Sequence, residues 1–143
     1  MRSRTLLAVS LAVVLSGPAA AAPRAASKTA PKECPHPFSD RDKIVKDLSG
    51  APTCTAALEI FTACAGGASG DVEFGGAVTE RCESDFVAKL SKAQKRAYEA
   101  EHTRCERKYM KREGTMYRSF EAFCHAEVAE RYVRRFGKAA PRR

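Results

Sequence analysis

Apolar positions recur at helical spacing along most of the chain, and that recurrence predicts its elements. Cys54, Ala57, Leu58, Phe61 and Cys64 make one stripe on one helix face, opened by Pro52-Thr53 and ended by Gly66-Gly67. Upstream, Ser39 followed by Asp-Arg-Asp reads as an N-cap, Ile44, Val45 and Leu48 as an apolar face, and Gly50 as a stop. The segment Cys34-Pro35-His36-Pro37-Phe38 is extended, because proline removes helix donors and restricts the residue before it. Residues 65–76, with Gly66, Gly67, Gly70, Gly75 and Gly76, predict a loop that connects helices; no Lys-Ser/Thr follows to make it a phosphate loop.

From Ala77 to about Arg112 the pattern is helical throughout, with Val78, Cys82, Phe86, Leu90, Ala93, Ala97, Cys105 and Tyr109 on the buried side. One rod over that span would be about 54 Å long, too long for a domain of this size. Ser91-Lys92-Ala93-Gln94 is a capping box and the place to divide it. After Gly114, Thr115 is positioned to cap a final helix whose face carries Met116, Tyr117, Phe120, Phe123, Cys124, Val128, Tyr132 and Phe136, and Gly137 ends it. No segment alternates at strand period. The predicted fold is all-α: a small antiparallel bundle of about four to five helices.

The first residues predict export. Arg2 and Arg4 form a basic start, Leu6 to Leu15 is apolar but for Ser10, and Ala19 to Ala22 supply small residues for cleavage. Ten helical residues span about 15 Å, half a bilayer core, so this is a signal peptide rather than an anchor. Pro23 moves the expected cut to after Ala20 or Ala21, and no cysteine precedes Cys34, which excludes a lipoprotein signal. Residues 1–21 are thus read as signal peptide, 22–33 as a disordered leader, 34–138 as one domain and 139–143 as a basic tail. The expected location is periplasmic or secreted.

Export gives the six cysteines a meaning, because in an oxidising compartment they make a disulfide framework. Cys105 and Cys124 lie at nearly equal distances either side of Gly114, level on antiparallel helices, and are the favoured pair. The same levelling pairs Cys34 with Cys64 and Cys54 with Cys82. The alternative set is Cys34–Cys54 with Cys64–Cys82, and both stay open at this point.

The 143 residues carry 25 Lys and Arg against 17 Asp and Glu, a net charge of +8. The charge is uneven: 8 basic and 10 acidic residues over 23–90, but 15 and 7 over 91–143. Arg104, Arg107, Lys108, Lys111 and Arg112, with Arg118 beyond the turn, cluster on one stretch that suits an anionic surface, though no specific nucleic-acid module accompanies it. No Cys-x-x-Cys, His-Glu-x-x-His or Gly-x-Ser-x-Gly motif occurs, and carboxylate pairs such as Glu99/Glu101 and Asp71/Glu73 read as solvated. No enzyme activity and no cofactor is expected. His102, Cys105, Cys124 and His125 have the composition of a zinc set. Disulfide formation takes the two cysteines away, so the expectation is no metal and exposed histidines beside a bridge.

The stretch Leu90-Ser-Lys-Ala93-Gln94-Lys-Arg-Ala-Tyr98, then Cys105, Gly114-Thr115-Met116-Tyr117, Cys124 and Arg131 resembles the family of small exported bacterial proteins typified by the LprI lysozyme inhibitor. Glu101-His102 stands where that family has an Arg-Asp pair, and Cys34 and Cys82 are additional. The resemblance implies a helical, disulfide-stapled protein that binds a lysozyme-type glycosidase. An inhibitor presents a rigid loop to the enzyme's cleft, which makes Lys111, Arg112, Gly114, Thr115, Met116, Tyr117 and Arg118 the expected partner-binding residues. The alternative is a structural envelope protein that holds anionic polymer or lipid on its basic carboxy-terminal half.

Overall fold

A computed structural model describes residues 33–137. The signal peptide, the leader through residue 32 and the tail at 139–143 lie outside the described residues. Within them the chain forms five α-helices and no strand: α1 (Arg41–Ser49), α2 (Cys54–Cys64), α3 (Asp71–Glu83), α4 (Lys92–Tyr109) and α5 (Thr115–Phe136). A single 3₁₀ turn, Val87–Lys89, lies between α3 and α4. The all-α reading holds.

The middle helix is the hub. α3 packs along α5 most extensively and also against α1 and α2, while α4 rests on α5. Ile44, Leu48, Phe61, Phe74, Val78 and Phe86 are fully buried around it. A second aromatic group joins the halves: Tyr98 and Tyr132 have ring centroids 4.8 Å apart, and Phe86 meets Tyr98 edge-on at 5.2 Å. Such pairs add about 0.5–1.5 kcal/mol each beyond the area they bury.

All six cysteines are bridged. The pairs are Cys34–Cys64, Cys54–Cys82 and Cys105–Cys124, with Cα separations of 4.6, 4.6 and 5.7 Å. Of the two sets left open from the sequence, the structure has Cys34–Cys64 with Cys54–Cys82. Bridges of this kind persist in oxidising compartments outside the cytoplasm. No helix among the described residues is long and apolar enough to cross a membrane.

Helix ends follow the sequence in part. Thr53 caps α2 by accepting from the Ala56 amide, and Ser91 with Gln94 forms a reciprocal capping box at the start of α4. Three expectations are corrected. Asp40, not Ser39, stands at the N-cap of α1, and its side chain makes no capping bond. Thr115 is the first residue of α5 and Gly114 occupies the cap at φ 104°, a left-handed value that suits glycine. The largest correction is α3, which begins at Asp71 and runs through Gly75 and Gly76, both assigned to the loop.

Packing explains that last departure. A Cβ on Gly75 would lie 2.8 Å from the Ala122 Cβ, so only glycine lets α3 and α5 approach this closely. Burial of Phe74, Ala77 and Val78 on the same helix outweighs the glycine cost of about 1 kcal/mol. The connector is thus residues 65–70, and Asp71 fastens it. This fully buried carboxylate accepts from the backbone amides of Gly66, Gly67 and Ala68 at 3.0, 2.9 and 3.2 Å, and from the Ser119 hydroxyl of α5 at 2.6 Å. The expectation of a solvated Asp71 is therefore wrong. An acidic residue three to five positions after a run of small residues with free amides was the signal that the sequence reading missed.

Candidate functional site

Two places carry chemistry beyond the core: the turn between α4 and α5, and a cleft beside the histidines. The turn residues Lys111, Arg112, Gly114, Thr115, Met116 and Arg118 are all exposed, and Tyr117 is half-buried. Met110 is 67% exposed, Met116 49% and Phe120 42%, so three large apolar side chains stand in solvent within eleven residues. They share the tip with aromatic rings and cations. Phe120 packs between Tyr109 and Tyr117, with centroids at 6.2 and 6.1 Å, while Arg112 lies over the Tyr117 ring and Lys108 over that of Tyr109. The Arg112 amide donates to the Tyr109 carbonyl at 2.8 Å and the Cys105–Cys124 bridge ties the two helices below, so the tip is braced on both sides.

Phe120, expected on the apolar face of α5, is exposed, and the reason is the choice of face. In its first turns α5 buries small residues such as Ser119, Ala122 and Ala126, and at Ala122 the α3 backbone at Gly75 comes too close for a larger side chain. The bulky positions on the opposite side of its first turns are left to water.

The basic stretch is as open as the sequence implied. Arg104, Arg107, Lys108, Lys111 and Arg112 are exposed, and none forms an ion pair with another described residue.

The histidines depart from expectation. His102 and His125 are half-buried rather than exposed, and their Nδ1 atoms lie 2.6 Å apart. The ring centroids are 4.7 Å apart with planes within 21°. The nitrogens therefore lie between the two rings, which meet edge to edge rather than face to face. One Nδ1 must donate and the other accept. The His102 Nε2 is buried without a partner, and a bare lone pair there costs less than an orphaned N–H. That assigns the proton to His102 Nδ1, makes His125 Nδ1 the acceptor, and leaves the His125 Nε2–H directed toward Glu121, whose Oε1 lies 3.9 Å away. Burial, and next the neighbouring His125, push the His102 pKa down from 6.5 to about 4. The pair is thus neutral at His102 in ordinary conditions, and Tyr98 covers the ring on its other flank at 4.4 Å.

Beside this pair opens a cleft of about 360 Å³ lined by Gly75, Gly76, Thr79 and Glu80 of α3, His102 of α4, and Glu121 and Ala122 of α5. Val72, Arg118 and His125 complete its wall. The Glu121 side chain is only 20% exposed, yet its nearest partners are Arg118 at 3.5 Å and His125 at 3.9 Å, both long for a hydrogen bond. Gly76 faces open space, with nothing within 4 Å of where its Cβ would stand. No group of three or more metal-ligating side chains converges among the described residues. Cys105 and Cys124 are joined in the bridge favoured from the sequence, which takes both sulfurs out of any ligand set with His102 and His125.

Against models of known protein families, curated proteins and solved structures, the chain finds no match.

Proposed function

We propose that this chain is an exported binding protein of the bacterial envelope that docks the α4–α5 turn against a lysozyme-type glycosidase. The observation that supports it is the solvent-facing group Met110, Met116 and Phe120, set beside Tyr117 and Arg112 on a disulfide-braced hairpin. Apolar and aromatic side chains with an arginine are the composition of interface hot spots. Bracing lowers the ordering cost of binding. The resemblance carried by Leu90 to Tyr98, Cys105, Gly114 to Tyr117 and Cys124 supplies the partner class.

The test is titration of the oxidised protein into lysozymes of acidic and basic type at low and moderate salt. Saturable, near-stoichiometric inhibition that survives salt is expected, because an apolar tip is not screened. Tyr117→Ala and Arg112→Glu should each weaken it; equal potency in both would remove the turn from the account.

A second reading is favoured by the exposed, unpaired row from Arg104 to Arg112: adhesion to anionic polymer or lipid. It expects binding that collapses with salt, since exposed charges are screened over about 8 Å at physiological ionic strength. Retention of anionic vesicles at high salt would contradict it.

A further inference from the structure

We infer that the cleft between α3 and α5 is a binding site for a lysine side chain of a partner polypeptide, the aliphatic stem lying across Gly76 and Ala122 and the ammonium meeting Glu121 and Glu80. The cleft adjoins the hairpin tip, with which it shares Arg118, but the inference does not depend on the identity of the tip's partner.

Three observations converge on it. The first is Gly76, a residue that weakens a helix and whose missing side chain meets nothing. Gly75 beside it has a packing reason, the approach to Ala122; Gly76 has none, and the room it leaves is the floor of the cleft. The second is Glu121, four-fifths buried at the cleft wall, whose pairing with the largely exposed Arg118 at 3.5 Å and approach to His125 at 3.9 Å are both long. A partly buried carboxylate gains from a close, charge-assisted hydrogen bond, and an ammonium in the cleft supplies a shorter one than either present partner. The third is the local charge. Glu80 is exposed at the same cleft, Arg118 contributes a single and largely solvated cation, and the neutral His102 adds none. The balance favours a cation over an anion. Val72, Gly75, Gly76 and Ala122 give an apolar path suited to a four-carbon stem, whose buried methylenes supply the remaining affinity.

The experiment is titration of isotope-labelled oxidised protein with Nα-acetyl-lysine amide, followed through the backbone amide signals of α3 and α5. Saturable shifts at Gly76, Thr79, Glu121 and Ala122 are expected. Nα-acetyl-norleucine amide, with a similar stem and no charge, should bind about tenfold more weakly or worse. Glu121→Gln should cost about tenfold in affinity for the lysine probe. Gly76→Leu should abolish binding while leaving the melting temperature no lower, because leucine is the better helix former and enters empty space. Norleucine amide binding as tightly as the lysine probe would overturn the inference by making the cleft merely apolar. Preference for acetate would overturn it by assigning the cleft to Arg118. Absence of saturable shifts on α3 and α5 would overturn it outright.

Discussion

The amino-terminal three helices and the α4–α5 hairpin are built on opposite terms. The first region carries two disulfides, a buried carboxylate with four donors, and Arg81, whose Nε and Nη2 donate to the carbonyls of Ala51 and Pro52 at 2.7 and 2.9 Å. These groups hold that part of the chain to itself. The hairpin has one bridge, a row of unpaired cations and three exposed large apolar residues at its tip. The contrast separates a half tied by two bridges and a buried carboxylate from a hairpin whose tip leaves cations and apolar side chains available; under the proposed function, that tip is where recognition resides.

The comparison breaks most visibly if the ties are cut. Replacing Cys54 and Cys82 together by serine should cost about 2–5 kcal/mol, read as a lowered urea midpoint, because the bridge joins two buried helix ends. Asp71→Ala should cost about 3 kcal/mol by leaving three amides and the Ser119 hydroxyl without their acceptor. A sharper contrast lies in adjacent glycines. Gly75→Ala should destabilise by about 1–3 kcal/mol through collision with Ala122, whereas Gly76→Ala should stabilise by about 0.5–1 kcal/mol. Thermal melts of the two variants, moving in opposite directions, would verify the packing of α3.

Acid should act on the hairpin through His102. An unfolded histidine takes up its proton near pH 6.5 and the folded one only near 4, so between these values the unfolded state binds more protons. This contribution to stability is complete above about 6.5, falls as pH drops, and is gone below about 4. Melting temperatures followed across that window should decline in the parent and decline less in His102→Leu. The smallest effect on stability belongs to the tip: Met110→Ser and Met116→Ser should each change it by no more than about 0.5 kcal/mol, as exposed positions do.

How much of this was legible in the sequence divides along the same line. The level Cys105–Cys124 pair, the Thr53 cap and the Ser91–Gln94 box were readable, because each depends on local spacing and on chemistry with one outcome; the other two bridges had two possible pairings until the helices were placed. The course of α3 was not. Gly75 and Gly76 look like loop residues until Ala122 is brought against them by the fold. Asp71 and Glu73 look alike in sequence, yet one is the buried fastener of the connector and the other pairs with Arg41 at the surface. The candidate tip was named correctly as an exposed turn, but its apolar members Met110 and Phe120 were not included. A pattern of large apolar positions marks a helix face without saying whether a close-packed small-residue face will displace it.

The claim that the hairpin tip recognises a partner while the tied half supports it is tested most directly by inhibition of a lysozyme panel, with the oxidised parent beside a Met110→Ser/Met116→Ser/Phe120→Ser variant. The account expects near-stoichiometric inhibition by the parent and a loss of about tenfold or more in the variant, in keeping with removal of an apolar hot spot. Inhibition of equal strength by both, or by neither on any lysozyme, would contradict it.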